Sequence, residues 1–222
     1  NERFYELRVA SLQGGEPRTV YRNPEAGFVQ PCAWTPDGKQ ILTLFFRKDN
    51  ISQIALVSTA DGSVKVLRSL EWVYPKRMDL SPDGRSIVYD SFSSTGAGDR
   101  DIYLLRTDGS SESVLLGGPA NDLFPLWTPD GRGIIFSSDR NGSMGVWRLG
   151  IADGAPRGDP EPVAGALGRI LPLGITGAGS LYYGLRSGEQ DIWVIPAGGG
   201  ETRRRSMQFA GRNAAPTWAP AG

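Results

Sequence analysis

The side chains that most enzymes use for acid–base, nucleophilic or metal chemistry are scarce in this sequence. There are no histidines, and Cys32 is the only cysteine. Histidine-dependent nucleophile systems, haem held by histidine and most zinc sites are therefore excluded within these 222 residues. Cys32 lies in the apolar segment Pro31-Cys32-Ala33-Trp34, which favours a small core residue over a reactive thiol.

Carboxylates remain as candidates, because two of them suffice to hydrolyse a glycosidic bond. Asp37, Asp83 and Asp130, however, occupy the same place in a repeated motif, and a repeated position favours a structural role. The sequence has no Gly-x-Ser-x-Gly nucleophile elbow and no Asp-x-Asp-x-Asp calcium loop. We therefore expect no catalytic residue, no metal and no cofactor in this chain.

The repeated motif is a tight turn that is followed by an apolar strand. It reads Trp-Thr-Pro-Asp-Gly at 34–38, Leu-Ser-Pro-Asp-Gly at 80–84 and Trp-Thr-Pro-Asp-Gly at 127–131. A degenerate copy of the motif ends at Gly179, and the start of a further copy occupies the last residues of the chain, up to Gly222. Pro fixes φ at the first corner, Asp bonds back to the local backbone, and Gly takes the positive φ that closes the turn.

The distance between successive copies points to one fold class. The closing glycines are separated by 46, 47, 48 and 43 residues. Within each interval the sequence gives four short apolar strands that are separated by polar turns, and no helical period is evident. A unit of four strands at this period predicts an all-β fold, a β-propeller of four-stranded antiparallel blades.

The pattern Trp-(Ser/Thr)-Pro-Asp-Gly, then an apolar strand, then Ile-Tyr or Ile-Trp resembles the TolB-like, WD40-like β-propeller repeat family. The resemblance covers nearly the whole chain. It implies a bacterial, periplasmic or otherwise extracytoplasmic location and a non-enzymatic module for protein–protein interaction or ligand sensing. Similar repeats also form substrate-gating or sensory propellers in larger enzymes. The alternative is therefore a propeller whose serine peptidase or protein kinase domain lies outside this chain.

The whole chain is interpreted as one propeller domain or a fragment of one, with the repeat setting the blade limits. We expect complete blades at about 29–68, 74–117, 121–164 and 168–206, with strands of partial blades at 4–22 and 213–222. The two ends join into an incomplete fifth blade, or the chain is an arc of a larger ring. The arc is favoured, because no second strand follows the final turn.

Charge and loop composition set the expectations about partners. Lys plus Arg and Asp plus Glu both number 24, so net charge gives no reason to expect a nucleic acid. No apolar run is long enough for direct membrane insertion. A protein partner is expected at the loops that lead into the first strand of each blade, with a small-molecule ligand at the channel mouth as a secondary possibility. The binding residues chosen there are Trp72, Tyr74, Arg77, Asp122, Arg169 and Arg212.

The sequence is compatible with two interpretations of the loop before the second complete blade. Trp72 and Tyr74 could pack between blades, or they could form part of a binding surface, since aromatic and Arg residues are enriched at interface hot spots. Trp34 and Trp127 stand at equivalent positions beside the repeated turn. We expect both of them to be buried between neighbouring blades.

Overall fold

Every regular element in the part of the chain that the computed structural model describes is a β-strand. The described residues are 5–23, 26–71, 73–93, 99–164, 170–185, 193–194 and 203–204. Over these residues there is no helix long and apolar enough to cross a membrane.

The strands fall into sheets that follow the repeat. Blade A pairs β1 (Tyr5–Val9) with β2 (Arg18–Asn23). Blade B contains β3 (Ala26–Trp34), β4 (Gln40–Arg47), β5 (Ile51–Ser58) and β6 (Val64–Glu71). Blade C contains β7 (Met78–Leu80), β8 (Ser86–Phe92), β9 (Arg100–Arg106) and β10 (Glu112–Leu116), and blade D contains β11 (Asp122–Trp127), β12 (Gly133–Ser138), β13 (Gly145–Ala152) and β14 (Ala155–Ala164). Beyond them β15 (Ile170–Ile175) pairs with β16 (Leu181–Leu185), and β17 (Trp193–Val194) pairs with β18 (Arg203–Arg204).

Each complete sheet is antiparallel and keeps its strands in sequence order. The first strand of each blade contacts the first strand of the next one, from β3 to β7, from β7 to β11 and from β11 to β15. The first strands are therefore the innermost ones, and the fourth strands β6, β10 and β14 form the outer edges. This arrangement confirms the all-β propeller fold that the repeat predicts.

The repeated turn has the conformation that its residues dictate. In the first copy the Thr35 hydroxyl donates to Asp37 Oδ1 (2.7 Å), and the same oxygen accepts from the Lys39 main-chain N–H (3.1 Å). The Ser81–Asp83 and Thr128–Asp130 pairs repeat this bond at 2.6 Å. The closing glycines Gly38, Gly84 and Gly131 have φ between 67° and 71°. The three aspartates therefore have the structural role that their repetition indicates.

The core lies between the blades. Leu42, Ile54 and Leu56 of blade B meet Ile87, Tyr89 and Leu105 of blade C in one buried cluster. A second cluster joins blade C to blade D and includes Val88, Ile102, Leu104, Trp127, Phe136 and Leu149. Alternate residues of each strand thus bury their side chains against the blade before or the blade after, as stacked sheets require.

The expected burial of the two turn-flanking tryptophans is right for one and wrong for the other. Trp127 is 7% exposed, whereas Trp34 is 50% exposed. Trp127 faces blade C, whose second strand contributes Val88 to the same cluster. Trp34 faces blade A, in which the described strands are β1 and β2. Among the described residues, no counterpart of β8 covers the Trp34 ring.

Cys32 is partly buried and packs against the cluster between blades B and C. Burial raises the pKa of its thiol to about 11. The thiol is therefore protonated at neutral pH, in agreement with a core role rather than a nucleophilic one.

Candidate interaction face

The antiparallel order of the strands gives each blade two unlike ends. First and third strands begin, and second and fourth strands end, on one side of the molecule. We call this side the loop face, because it carries the loops that lead into β3, β7 and β11. The opposite side carries the Pro-Asp-Gly turns and is called the turn face.

A row of aromatic rings crosses the loop face from blade A to the loop before blade C. Tyr5 and Phe28 stand edge to face with ring centroids 5.7 Å apart. Phe28 is paired with Phe46 across the β3–β4 ladder, and Phe46 meets Tyr74 edge to face at 6.2 Å. Tyr5, Phe28 and Tyr74 are 41%, 43% and 58% exposed. These four residues, the aromatic row, therefore place three exposed rings and the half-buried Phe46 ring on the loop face.

A buried ion pair supports the end of the row at Tyr74. Arg100 Nε lies 2.9 Å from Asp90 Oδ2, and both side chains are almost completely buried. The same guanidinium donates to the main-chain carbonyl of Tyr74 at 2.8 Å and lies 4.7 Å from the centroid of the exposed Phe92 ring. Burial raises the pKa of Asp90, and the nearby Arg100 charge opposes that rise.

Arg77 takes part in the same support through its main chain. Its N–H donates to Asp90 Oδ1 at 2.7 Å, and its carbonyl accepts from the Asp90 N–H at 3.3 Å. Its side chain is half-buried. The neighbouring Lys76 places its ammonium 5.9 Å from the centroid of Phe124 on β11, which adds a cation–π contact between two blades.

Asp122 also lies on the loop face, but it is 2% exposed. Its carboxylate receives a 2.7 Å bond from Arg140 Nη2. The guanidinium of Arg140 in turn lies 5.2 Å from the ring centroids of Phe136 and Trp147. Asp122, Asp139 and Arg140 line a cavity of about 270 Å³ together with the loop at 117–120. Asp122 is therefore placed to hold Arg140 rather than to contact a large partner itself.

The structure thus brings together part of the predicted binding set. Tyr74 is exposed, so it is not packed between blades, which was one of the two interpretations left open by the sequence. Arg77 and Asp122 lie on the same face as Tyr74. Trp72, Arg169 and Arg212 lie outside the described residues, as does most of the hairpin that joins β8 to β9.

Sequence reasoning missed Tyr5, Phe28, Phe46 and Phe92. Their common feature, an aromatic residue at the loop-face end of a strand, becomes visible only once the direction of each strand is assigned.

The described residues contain no group of three or more His, Cys, Asp or Glu side chains that could hold a metal ion. The charged side chains of Asp90, Arg100, Asp122 and Arg140 on the loop face instead bind one another or the main chain. The geometry fits a rigid surface for recognition, on which exposed rings are held by buried charged pairs.

The radial four-stranded blades, with innermost strands in contact and the loops between blades at one face, define a β-propeller protein. The sequence profile of the TolB beta propeller domain matches residues 1–158. The chain belongs to this family.

Relatives and solved structures agree with that membership. The Tol-Pal system protein TolB of Bordetella pertussis is 27% identical over 153 residues, which is 68% of this chain and 33% of that protein. The crystal structure of TolB from Acinetobacter baumannii superposes with a TM-score of 0.63 at 22% identity, over 90% of this chain and 48% of that one. Dipeptidyl-peptidase 5 of Porphyromonas gingivalis is 37% identical over 70 residues, 30% of this chain and 10% of that enzyme. The chain spans about one third of the length of the TolB relatives that it matches.

Proposed function

We propose that this chain is a non-enzymatic propeller module that binds a protein partner through its loop face. The aromatic row is the observation that carries the proposal. Three of its four rings are exposed by 41–58%, and each of them packs edge to face against an aromatic neighbour. Large aromatic side chains on a preorganised surface lose little conformational freedom on binding and dominate interface energetics.

The relatives support a protein as the partner. The matched Bordetella protein is named for the Tol-Pal system, and a bacterial, periplasmic or otherwise extracytoplasmic location agrees with family membership. A small molecule in the cavity beside Asp122 is a secondary ligand of the same face. The zero net charge gives no support for a nucleic acid.

Tyr74→Ala should weaken partner binding by about 1–2 kcal/mol or more, because it removes the most exposed ring of the aromatic row. The fold should be retained, because Arg100 binds the main-chain carbonyl of Tyr74 and not its side chain. The measurement is chemical crosslinking of the chain to proteins of the source bacterium, with quantitative mass spectrometry of each captured protein.

Trp34→Ala is the matched control. It removes a ring of similar exposure, 50% against 58%, from the turn face. A partner that is lost with Tyr74→Ala and kept with Trp34→Ala supports the proposal. If captured proteins respond equally to the two substitutions, or only to Trp34→Ala, the loop face is not the binding surface.

The second candidate is a substrate-gating or sensory propeller of a larger bacterial enzyme, either a serine peptidase or a protein kinase. The similarity to dipeptidyl-peptidase 5 of Porphyromonas gingivalis favours the peptidase form. The sequence that flanks this chain in its gene separates the two candidates. A Gly-x-Ser-x-Gly elbow or kinase motifs there would replace the first proposal with the second.

A further inference from the structure

A cleft of about 880 Å³ opens on the turn face between blades C and D. Arg85 and Arg106 line it on the blade C side, Asp130 and Asp153 line it on the blade D side, and Trp127 lines it on the innermost strand. With Asp83, the lining has three carboxylates and two guanidinium groups, which leaves an excess of one negative charge.

The turns between third and fourth strands contact the preceding blade less closely towards this cleft. A Cβ atom added to Gly62 of blade B would overlap the Val20 carbonyl oxygen of blade A. At Gly109, in the corresponding turn of blade C, an added Cβ would lie 4.0 Å from Leu67 of blade B. At Gly154, in the corresponding turn of blade D, it would meet nothing within 4 Å.

A lysine bridges the junction between blades B and C. It occupies the position at which the cleft opens in the junction between blades C and D. Lys65 Nζ of β6 donates to the Thr107 and Asp108 carbonyls of blade C at 3.2 and 2.9 Å. Between blades A and B, Arg18 Nη2 similarly donates to the Thr59 carbonyl at 2.6 Å. A cation from the outer strand of one blade thus ties down the turn of the next blade.

The strand registers show which residue replaces this lysine at the cleft. Lys65 is paired with Leu56, which is buried against blade C, and Ser113 is paired with Leu104, which is buried against blade D. Ser113 is therefore the counterpart of Lys65, and its side chain is too short to bridge the junction.

Equivalent hydrogen bonds also show which main-chain carbonyl of blade D corresponds to the ones that Lys65 binds in blade C. The Thr107 N–H donates to the Arg85 carbonyl, and the Ile151 N–H donates to the Arg132 carbonyl in the same way. Ile151 therefore corresponds to Thr107, whereas Ala152 is paired with Ala155 in a tighter turn than that of blade C. Asp130, whose pKa is lowered by the hydrogen bond from Thr128, is ionised beside Ile151 at neutral pH.

We propose that this cleft binds a lysine side chain of a peptide, whose ammonium takes the place that Lys65 fills in the preceding junction. The ammonium would lie by the Ile151 carbonyl, with Asp130 and Asp153 as counter-charges. The indole ring of Trp127 lines the same cleft, so the methylene groups of the lysine can pack against it. One ammonium matches the excess of one negative charge, whereas a free polyamine would bring several positive charges beside Arg85 and Arg106. The cleft is on the opposite face from the aromatic row, so a result for one site does not decide the proposal for the other.

The test is a titration of the isotope-labelled chain with a blocked Gly-Lys-Gly peptide, monitored through the indole N–H resonance of Trp127. Trp127→Phe assigns that resonance. The lysine peptide should shift it, and a blocked Gly-norleucine-Gly peptide should not. Ser113→Lys fills the cleft from within and should weaken binding about tenfold or more, which corresponds to about 1.4 kcal/mol.

Ser110→Lys is the charge-matched control, because Ser110 is exposed in the adjacent turn and does not line the cleft. It should bind the lysine peptide as the unaltered chain does. If Ser113→Lys fails to fold, Asp153→Asn replaces it, since asparagine tolerates the positive φ of 51° at this position; it too should weaken binding. An equal response to norleucine peptide or to spermidine, or undiminished binding by the folded cleft variant, would overturn the proposal.

Discussion

At the residue scale, Asp79 on β7 joins the innermost strands of two blades with one carboxylate. Its Oδ2 accepts the main-chain N–H of Trp127 on β11 at 2.7 Å. Burial raises the pKa of Asp79 to about 6, and that hydrogen bond and the Arg77 charge only partly oppose the rise. The protonated form of this side chain is therefore favoured more in the folded chain than in the unfolded one.

Asp79→Asn should remove one component of the pH dependence of stability. Because the folded pKa of about 6 lies above the unfolded value of about 3.9, the stabilising contribution is complete below about pH 4 and is lost as the pH rises through 6. In the unaltered chain this component lowers the free energy of unfolding by up to about 3 kcal/mol across that window. Asparagine keeps an oxygen for the Trp127 N–H and does not titrate.

The measurement is urea unfolding of both chains at intervals between pH 4 and 7. The difference in unfolding free energy should move in favour of Asp79→Asn as the pH rises. Parallel curves for the two chains would contradict the prediction. Comparing the variant with the unaltered chain removes the contributions of the turn aspartates, whose lowered pKa values act in the opposite direction.

At the scale of the element, the repeated strand–turn unit gives equivalent residues unlike surroundings. The position before the turn holds Trp34 in β3, Leu80 in β7 and Trp127 in β11. Local geometry is the same in all three, because the Ser or Thr hydroxyl binds the turn aspartate each time. Burial differs because it depends on how many strands of the preceding blade face the residue.

Trp127→Ala should therefore destabilise the chain by about 3–5 kcal/mol, as expected when a large buried aromatic leaves a cavity. Trp34→Ala, the same substitution at the equivalent exposed position, should cost less than about 1 kcal/mol. Chemical denaturation followed by circular dichroism measures both. Equal losses would mean that Trp34 is covered as Trp127 is.

At the scale of the whole molecule, the blades do not meet with uniform spacing. Cations from the outer strands bridge the junction of blades A and B and that of blades B and C. The junction between blades C and D instead contains the cleft. The loop face is also uneven, because the aromatic row extends only from blade A to the loop before blade C.

Two matched glycine substitutions test this spacing. Gly62→Ala and Gly154→Ala share a positive φ, 74° and 77°, and so share a backbone cost of about 1–2 kcal/mol. Only the Cβ at Gly62 overlaps a neighbouring blade. Gly62→Ala should thus be the more destabilising by about 1–3 kcal/mol, the usual cost of overpacking. Thermal or urea unfolding of the pair gives the comparison, and equal losses would show that the C–D junction is packed as closely as A–B.

The sequence by itself determined the blades, the turns and the absence of histidine chemistry. These features are local: Pro, Asp and Gly restrict their own backbone, and the four-strand period is written along the chain. It also led to the proposal of a partner at the loop face, through the composition of the loop that contains Tyr74 and Arg77.

Only the tertiary structure decided which equivalent residues are buried, which rings form the aromatic row and where a cleft opens. Each of these depends on a residue in the neighbouring blade, a full repeat or nearly so away. Trp34 and Trp127 have the same local sequence but face different numbers of strands. Ser113 becomes informative only when the register of β9 and β10 places it where Lys65 stands in β6. Packing between blades is a long-range property, and the repeat alone does not specify it.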